Sequence, residues 1–275
     1  MIDLWNACFR SFLEAFSEFL PISSTGHLFL FSYFFPFQSI TENREQFEDL
    51  FDIFIQSGAI LSVIVLYWKT FYRNLVEWKT SQFYPTLILG SLPILVLGFA
   101  FKSRLDVIKQ SQYLLLILSC SWIIGGVFIL VAERFLKPTE HSHSVETKET
   151  KLGYRQSLLI GIFQCIALIP GISRSLCTIF SARILGYSKT IATEYSFFLA
   201  VPALVMAGLY KLFKHRSVLN SETIPLLSLG FLLSFLLSVL VIRLFLKFIR
   251  TKSFSIFGIY RIVLGILVLA YFLKK

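Results

Sequence analysis

Between Glu14 and His27 the chain reads Glu14-Ala-Phe-Ser-Glu18-Phe-Leu-Pro21-Ile-Ser23-Ser24-Thr25-Gly26-His27. Two carboxylates, a run of three hydroxyls and an imidazole stand there among apolar residues. Ionisable groups at membrane depth are costly unless paired or placed in a wet cavity, so in an apolar chain they mark a functional site. Glu14 and Glu18 are four residues apart and share one face of a helix. Their mutual repulsion calls for a cation or a proton. Paired oxygen ligands suit a hard divalent ion, Mg2+ or Ca2+, that completes its shell with water and substrate phosphate. Solvated rim positions at a helix end are the plainer alternative. Ser23, Ser24 and Thr25 follow Pro21 and fit a helix cap, the usual work of such residues; for Thr25 capping is the preferred role. His27 comes three residues after Ser24, so hydroxyl and imidazole face each other if a helix starts here. That pairing activates a weak hydroxyl nucleophile. A hydrogen bond from His27 to a neighbouring helix is its alternative.

A second polar cluster interrupts an apolar stretch at Pro170-Gly-Ile-Ser173-Arg174-Ser175. A guanidinium binds phosphate oxygens through a forked pair of donors. A snorkelling arginine belongs beside the end of a span. Arg174 instead sits between Ile166–Ile169 and Leu176–Phe180, which favours phosphate binding. Gln56 and Glu194 are isolated polar groups suited to helix–helix hydrogen bonds. Arg261, in Phe257-Gly-Ile-Tyr260-Arg261, is open between a cavity and an interface position.

The elements that carry these groups must be membrane helices. Of 275 residues 56% are hydrophobic, 30 are Phe and only 15% are charged, with a mean hydropathy of +0.73. A soluble chain of this length has no core able to hide so much apolar surface. The net charge of +10 does not point to nucleic acid. No basic helix with interleaved aromatics occurs, and the Lys and Arg residues gather at the ends of apolar runs, as topology determinants do. The first residues do not read as a cleavable signal peptide, since Asp3, Glu14 and Glu18 interrupt its apolar region. Cys8, Cys120, Cys165 and Cys177 stand singly and read as structural thiols.

About 20 apolar residues cross the hydrocarbon as a helix. Six stretches qualify: 51–68, 83–101, 113–133, 190–212, 224–246 and 255–273. Segment 137–153 is polar and charged, and reads as a linker; its His141 and His143 lack the second ligand pair of a metal site. Regions 8–36 and 155–186 are each broken midway by Pro, Gly and a polar run. A shift of 150 residues places Glu14 on Gln164, Ile22 on Ile172 and Ser23 on Ser173. The fold class is therefore an all-α membrane protein of about six transmembrane helices plus two re-entrant helix pairs. Residues 1–136 form the first repeat and 154–275 the second. Three crossings per copy make the second enter from the opposite face, an inverted repeat whose broken segments meet near the midplane. Helix N-termini ending there favour an anionic ligand. Basic residues lean modestly toward an N-terminus outside, with Lys69, Arg73, Lys79 and the linker inside.

The two clusters, Glu14-xxx-Glu18-Phe-Leu-Pro-Ile-Ser-Ser-Thr-Gly-His27 and Pro170-Gly-Ile-Ser-Arg-Ser175-xx-Thr178, resemble the signature motifs of the bacterial undecaprenyl-diphosphate phosphatases of the bacitracin-resistance type. Ile55-Gln56-x-Gly58-Ala59-Ile60-Leu61, Glu194-Tyr-Ser196-Phe197 and Tyr260-Arg261-Ile-x-Leu-Gly265 extend the resemblance over nearly the whole chain. It implies a multi-pass enzyme of the bacterial plasma (inner) membrane that removes the terminal phosphate of a C55 isoprenyl diphosphate, recycling the carrier lipid for cell-wall synthesis. It also implies a divalent cation and a site opening to the periplasmic side. Carried over residue by residue, the glutamates fall on Glu14 and Glu18, the nucleophile on Ser24, its partner on His27 and the phosphate-binding arginine on Arg174. Ser23, Thr25, Ser173 and Thr178 match positions lining the site. Ala15, Ser17 and Leu176 depart from the family pattern at packing positions, which puts lipid preference and rate in doubt and leaves the charged set intact.

Attack on phosphorus by Ser24 with His27 as base, by water with His27 as base, or by His27 itself are all compatible with these residues. The rival class is a transporter or flippase of an anionic lipid or solute, which shares the broken-helix plan but has no use for a hydroxyl–imidazole pair. A homodimer is among the assemblies the sequence allows.

Overall fold

A computed structural model describes residues 2–38, 40, 43–136 and 152–274. The described residues form helices and turns. Residues 137–151, which hold His141, His143 and most of the expected linker, lie outside them.

The first helix, α1 (Ile2–Ser17), carries its polarity inside out. Asp3, Asn6, Arg10, Ser11 and Glu14 are buried, whereas Trp5, Phe9, Phe12 and Phe16 recur every three or four residues on the exposed side. Such a face suits lipid, with the polar groups turned to the protein interior. The chain then breaks at Pro21 and turns back as α2 (Ser24–Phe34). Six helices are long and apolar enough to cross a membrane: α3 (Arg44–Leu66), α5 (Phe83–Ala100), α7 (Leu114–Phe135), α10 (Lys189–Lys214), α11 (Thr223–Thr251) and α12 (Ser255–Lys274). Two short helices, α4 (Trp68–Val76) and α6 (Lys102–Lys109), lie between spans. The second broken pair is α8 (Tyr154–Gln164), a 3-10 turn (Cys165–Leu168) and α9 (Arg174–Ile184).

The six expected spans coincide with these helices, with two displaced boundaries, the start of α3 and the end of α11, which runs to Thr251 rather than 246. Helix α3 starts at Arg44 rather than 51. Its first two turns are too polar to register as apolar, yet Phe47 and Leu50 are buried and Glu48 and Asp52 hold the fully buried Arg10 at 3.1 and 3.4 Å. Helices α4 and α6, too short and polar for a span, were not anticipated as elements.

The packing of one half is repeated by the other with exchanged partners. Helix α1 lies on α11 and α8 on α5, while α3 meets α10 and α7 meets α12. Close approach depends on glycine. A Cβ on Gly58 would stand 2.3 Å from the Phe231 carbonyl oxygen, and one on Gly161 at 2.3 Å from that of Gly90. Along α7 and α12, Gly126 faces Ile262 and the Gly258 carbonyl, whereas Gly265 faces Ile123 and the Ser119 carbonyl. Small residues let helix backbones touch where no hydrophobic effect drives association. Glu194 of α10 accepts a hydrogen bond from the Tyr67 hydroxyl at 3.2 Å, joining the ends of α10 and α3.

Candidate active site between the two breaks

Both breaks are built alike. Ser23 and Ser173 have φ of 75° and 78°, a backbone region that costs a residue with a Cβ of order 1–3 kcal/mol and persists where the surroundings over-determine it. Each serine then caps the helix that follows. The Ser23 hydroxyl accepts from the Gly26 N–H at 3.3 Å and the Ser173 hydroxyl from the Leu176 N–H at 3.2 Å. The cap in the first break is thus Ser23 and not Thr25, because the left-handed turn at Ser23 is what starts α2. Thr25 is exposed.

A single cavity of about 110 Å³ is walled by both breaks, with Glu18, Ser23, Ser24 and Thr25 from the first and Ser173 and Arg174 from the second. Inside it Glu18 is the hub. Its Oε1 accepts from Arg174 Nη2 at 3.1 Å and its Oε2 from the Ser24 hydroxyl at 2.5 Å. Arg174 is aimed by a second bond, from Nη1 to the Ser196 carbonyl at 2.9 Å. Its Nε is buried without a partner.

Glu14 stands one helical turn behind Glu18, the register being kept by the Glu18 N–H bonded to the Glu14 carbonyl at 2.9 Å. It is completely buried, and neither carboxylate oxygen has a hydrogen-bond partner. An unsatisfied buried carboxylate is expensive. Two acidic side chains one helical turn apart are oxygen donors of the kind a hard divalent cation takes, and both Glu14 oxygens are uncommitted.

His27 is held elsewhere. Its Nδ1 donates to the Ser23 carbonyl at 2.7 Å, which leaves Nε2 to bond the Tyr260 hydroxyl at 2.7 Å. The Ser24–His27 contact expected from their spacing is not made. Ser24 is turned to Glu18, a residue six positions back that the break brings round. Thr178 also departs from expectation, standing behind Arg174 instead of in the cavity wall. Its hydroxyl bonds the Arg174 carbonyl at 3.0 Å and Ser196 Oγ at 2.6 Å.

Three further residues brace the groups around the cavity: Ser175, whose hydroxyl donates to the Leu20 carbonyl at 2.7 Å, Ser196, whose carbonyl accepts from Arg174, and Tyr260, on His27. The signal was present for all three, since each lies in one of the motifs quoted above.

A family model described as bacitracin resistance protein BacA matches residues 7–267. The chain belongs to the BacA family. It is 54% identical over the full length of both chains to a protein named undecaprenyl-diphosphatase from Leptospira biflexa serovar Patoc (strain Patoc 1 / Ames). A relative of the same name from Leptospira borgpetersenii serovar Hardjo-bovis (strain L550) is 54% identical over 97% of this chain and 96% of its own. A third, from Methanococcus aeolicus (strain ATCC BAA-1280 / DSM 17508 / OCM 812 / Nankai-3), is 37% identical over 99% of this chain and all of its own. In this BacA-family chain, part of each signature motif lines one cavity, from Glu18 to Thr25 in the first and from Pro170 to Arg174 in the second.

Proposed function

We propose that this multi-pass membrane protein hydrolyses undecaprenyl diphosphate to undecaprenyl phosphate and inorganic phosphate, recycling the carrier lipid and so conferring bacitracin resistance. The observation that carries this reading is the Glu18 hub, which binds a nucleophile-type hydroxyl and a phosphate-binding guanidinium with one carboxylate. Relatives over the whole chain carry the name of that activity.

In the proposed reaction Arg174 binds the terminal phosphate and Ser24 Oγ attacks its phosphorus. The Ser24 proton passes to Glu18 Oε2. The new bond is Oγ–P, and the bridging P–O bond breaks as undecaprenyl phosphate leaves. Water then attacks the phosphoserine, and Ser24 recovers a proton as phosphate departs. Glu18 replaces His27 as the proton acceptor because it is the group within hydrogen-bond reach, the first requirement of a general base. His27 holds the Ser23 carbonyl and so the break itself.

A diphosphate brings several negative charges to a site where two carboxylates face one guanidinium. Added positive charge is needed, and Glu14 with Glu18 would hold Mg2+ or Ca2+ for it. The cation, when bound, neutralises phosphate oxygens and strengthens the electrostatic stabilisation that dominates phosphoryl transfer. Substrate positions Ser23, Thr25 and Ser173 would contact the diphosphate, with Thr178 acting through Arg174.

The exchanged packing partners support a repeat arrangement of 1–136 and 154–275, the basic-residue distribution supports an N-terminus on the outer side, and the family resemblance supports a site opening to that side of the bacterial plasma membrane. A homodimer belongs to the same proposal.

Phosphate release from a C55 or C15 isoprenyl diphosphate by the purified protein in detergent, with and without a chelator, tests the reading. Release that the chelator abolishes supports it. A flippase in detergent has no bilayer to work across, so no release with either divalent ion would favour that rival.

A further inference from the structure

Arg261 of α12 is completely buried, yet it has no carboxylate partner among its recorded contacts. All its bonds go to main-chain carbonyls. Nη1 donates to Pro21 at 3.1 Å and Ile172 at 3.3 Å, and Nη2 to Gly171 and Ser121 at 2.9 Å each. Nε reaches the Trp122 carbonyl at 3.4 Å. One side chain thus ties the first break, the second break and α7 together. Gly125 leaves it room, since a Cβ there would stand 2.2 Å from Nη2.

Gly126 of α7 meets Ile262 and Gly265 of α12 meets Ile123, which makes Ile123 the counterpart of Ile262 and Gly126 the counterpart of Gly265. The same register pairs Trp122 with Arg261. Trp122 is also completely buried, and its Nε1 donates to the Ile22 carbonyl at 3.2 Å. Ile22 and Ile172 are the counterparts immediately before the two left-handed serines. Each half therefore fixes the same carbonyl of its own break with a donor from its last helix, indole in one and guanidinium in the other.

A trans peptide points its N–H opposite to its carbonyl. Holding the Ile22 and Ile172 carbonyls against α7 and α12 turns the Ser23 and Ser173 N–H groups the other way, and both serines line the cavity. We infer that Arg261 and Trp122 are positioning residues that aim these two backbone N–H groups at the phosphate oxygens, one from each half. The strain at both serines is held in place by the same grip.

The inference rests on the phosphatase reading for its ligand, but its test does not need turnover. The probe is inorganic pyrophosphate with Mg2+, titrated into purified wild-type protein, Arg261→Lys and Trp122→Phe, with the apparent Kd read from the rise in melting temperature. Lys keeps the charge but cannot reach five carbonyls, and Phe keeps most of the ring without the donor. Each variant is expected to weaken pyrophosphate by about tenfold or more, the effect of one misdirected hydrogen bond to a charged group, and to raise KM for the lipid diphosphate similarly. Neither constant depends on the fraction of protein that is folded. Wild-type pyrophosphate affinity in a folded Arg261→Lys or Trp122→Phe protein overturns the inference. If Arg261→Lys does not fold, Trp122→Phe alone decides. Pyrophosphate binding by a wild-type protein that releases no phosphate would instead sink the phosphatase reading and leave this one standing.

Discussion

One carboxylate of Glu18 serves both Ser24 and Arg174, so replacing it should cost more than either bond alone. Glu18→Gln is expected to fold and to lose at least about a hundredfold in turnover, as loss of a positioned base does; steady-state kinetics on purified protein check it. His27 makes a sharper case. With Nδ1 bonded to the Ser23 carbonyl and Nε2 to Tyr260, its work is to hold the break. His27→Gln, which can still donate to that carbonyl, should keep turnover within about tenfold of wild type. A loss as deep as that of Ser24→Ala would restore His27 to the role of base. Glu14, with two unpartnered oxygens, should show itself through the cation: Glu14→Gln is expected to raise the half-saturating Mg2+ or Ca2+ concentration by about tenfold or more, read by titrating the metal into chelated enzyme. Glu14, Glu18, Ser24 and Arg174 could be picked out in the sequence because charge in an apolar segment is costly and therefore conspicuous. The Ser24–Glu18 bond could not, because it depends on the turn at Ser23 that brings Glu18 round to the start of α2; Ser24 and His27 keep their helical spacing, but each side chain finds a partner from outside that helix.

At the scale of elements, the two breaks and the glycine contacts position the site. Ser173 combines a strained φ with a helix cap, and the two terms can be separated. Ser173→Gly relieves the strain and loses only a few tenths of a kcal/mol of capping, whereas Ser173→Ala keeps the strain and loses about 1 kcal/mol. Thermal melting in detergent should therefore place Gly at or above the wild-type midpoint and Ala below it. Gly161 packs against the Gly90 carbonyl, so Gly161→Ala should push α8 off α5 and lower stability by about 1–3 kcal/mol, the usual cost of overpacking. The spans were legible from hydropathy because lipid demands a long apolar run. The start of α3 was hidden, since its opening turns are amphipathic and stabilised by Arg10, a residue more than thirty positions away. Tyr260 and Arg261 were legible as a motif but not as contacts, because no local pattern tells which loops a side chain of α12 will meet.

In the whole molecule, residues from both sides of the 137–151 segment wall one cavity. Ser24 lies in the first of these parts and Arg174 in the second, so fragments 1–136 and 154–275 should each be inactive alone and release phosphate only when co-expressed. Exchange of packing partners between halves gives the reason: α1 completes its packing on α11, and α8 on α5. If the cavity between the breaks hydrolyses a lipid diphosphate, Ser24 from one break and Arg174 from the other are both indispensable to it. Phosphate release by purified wild-type, Ser24→Ala and Arg174→Lys proteins, each folded by size-exclusion and melting criteria, tests it most directly. Release by the wild type and a loss of at least about a thousandfold in both variants are expected, since removing a nucleophile or a transition-state charge partner is worth that much. Turnover within tenfold of wild type in either variant would contradict it.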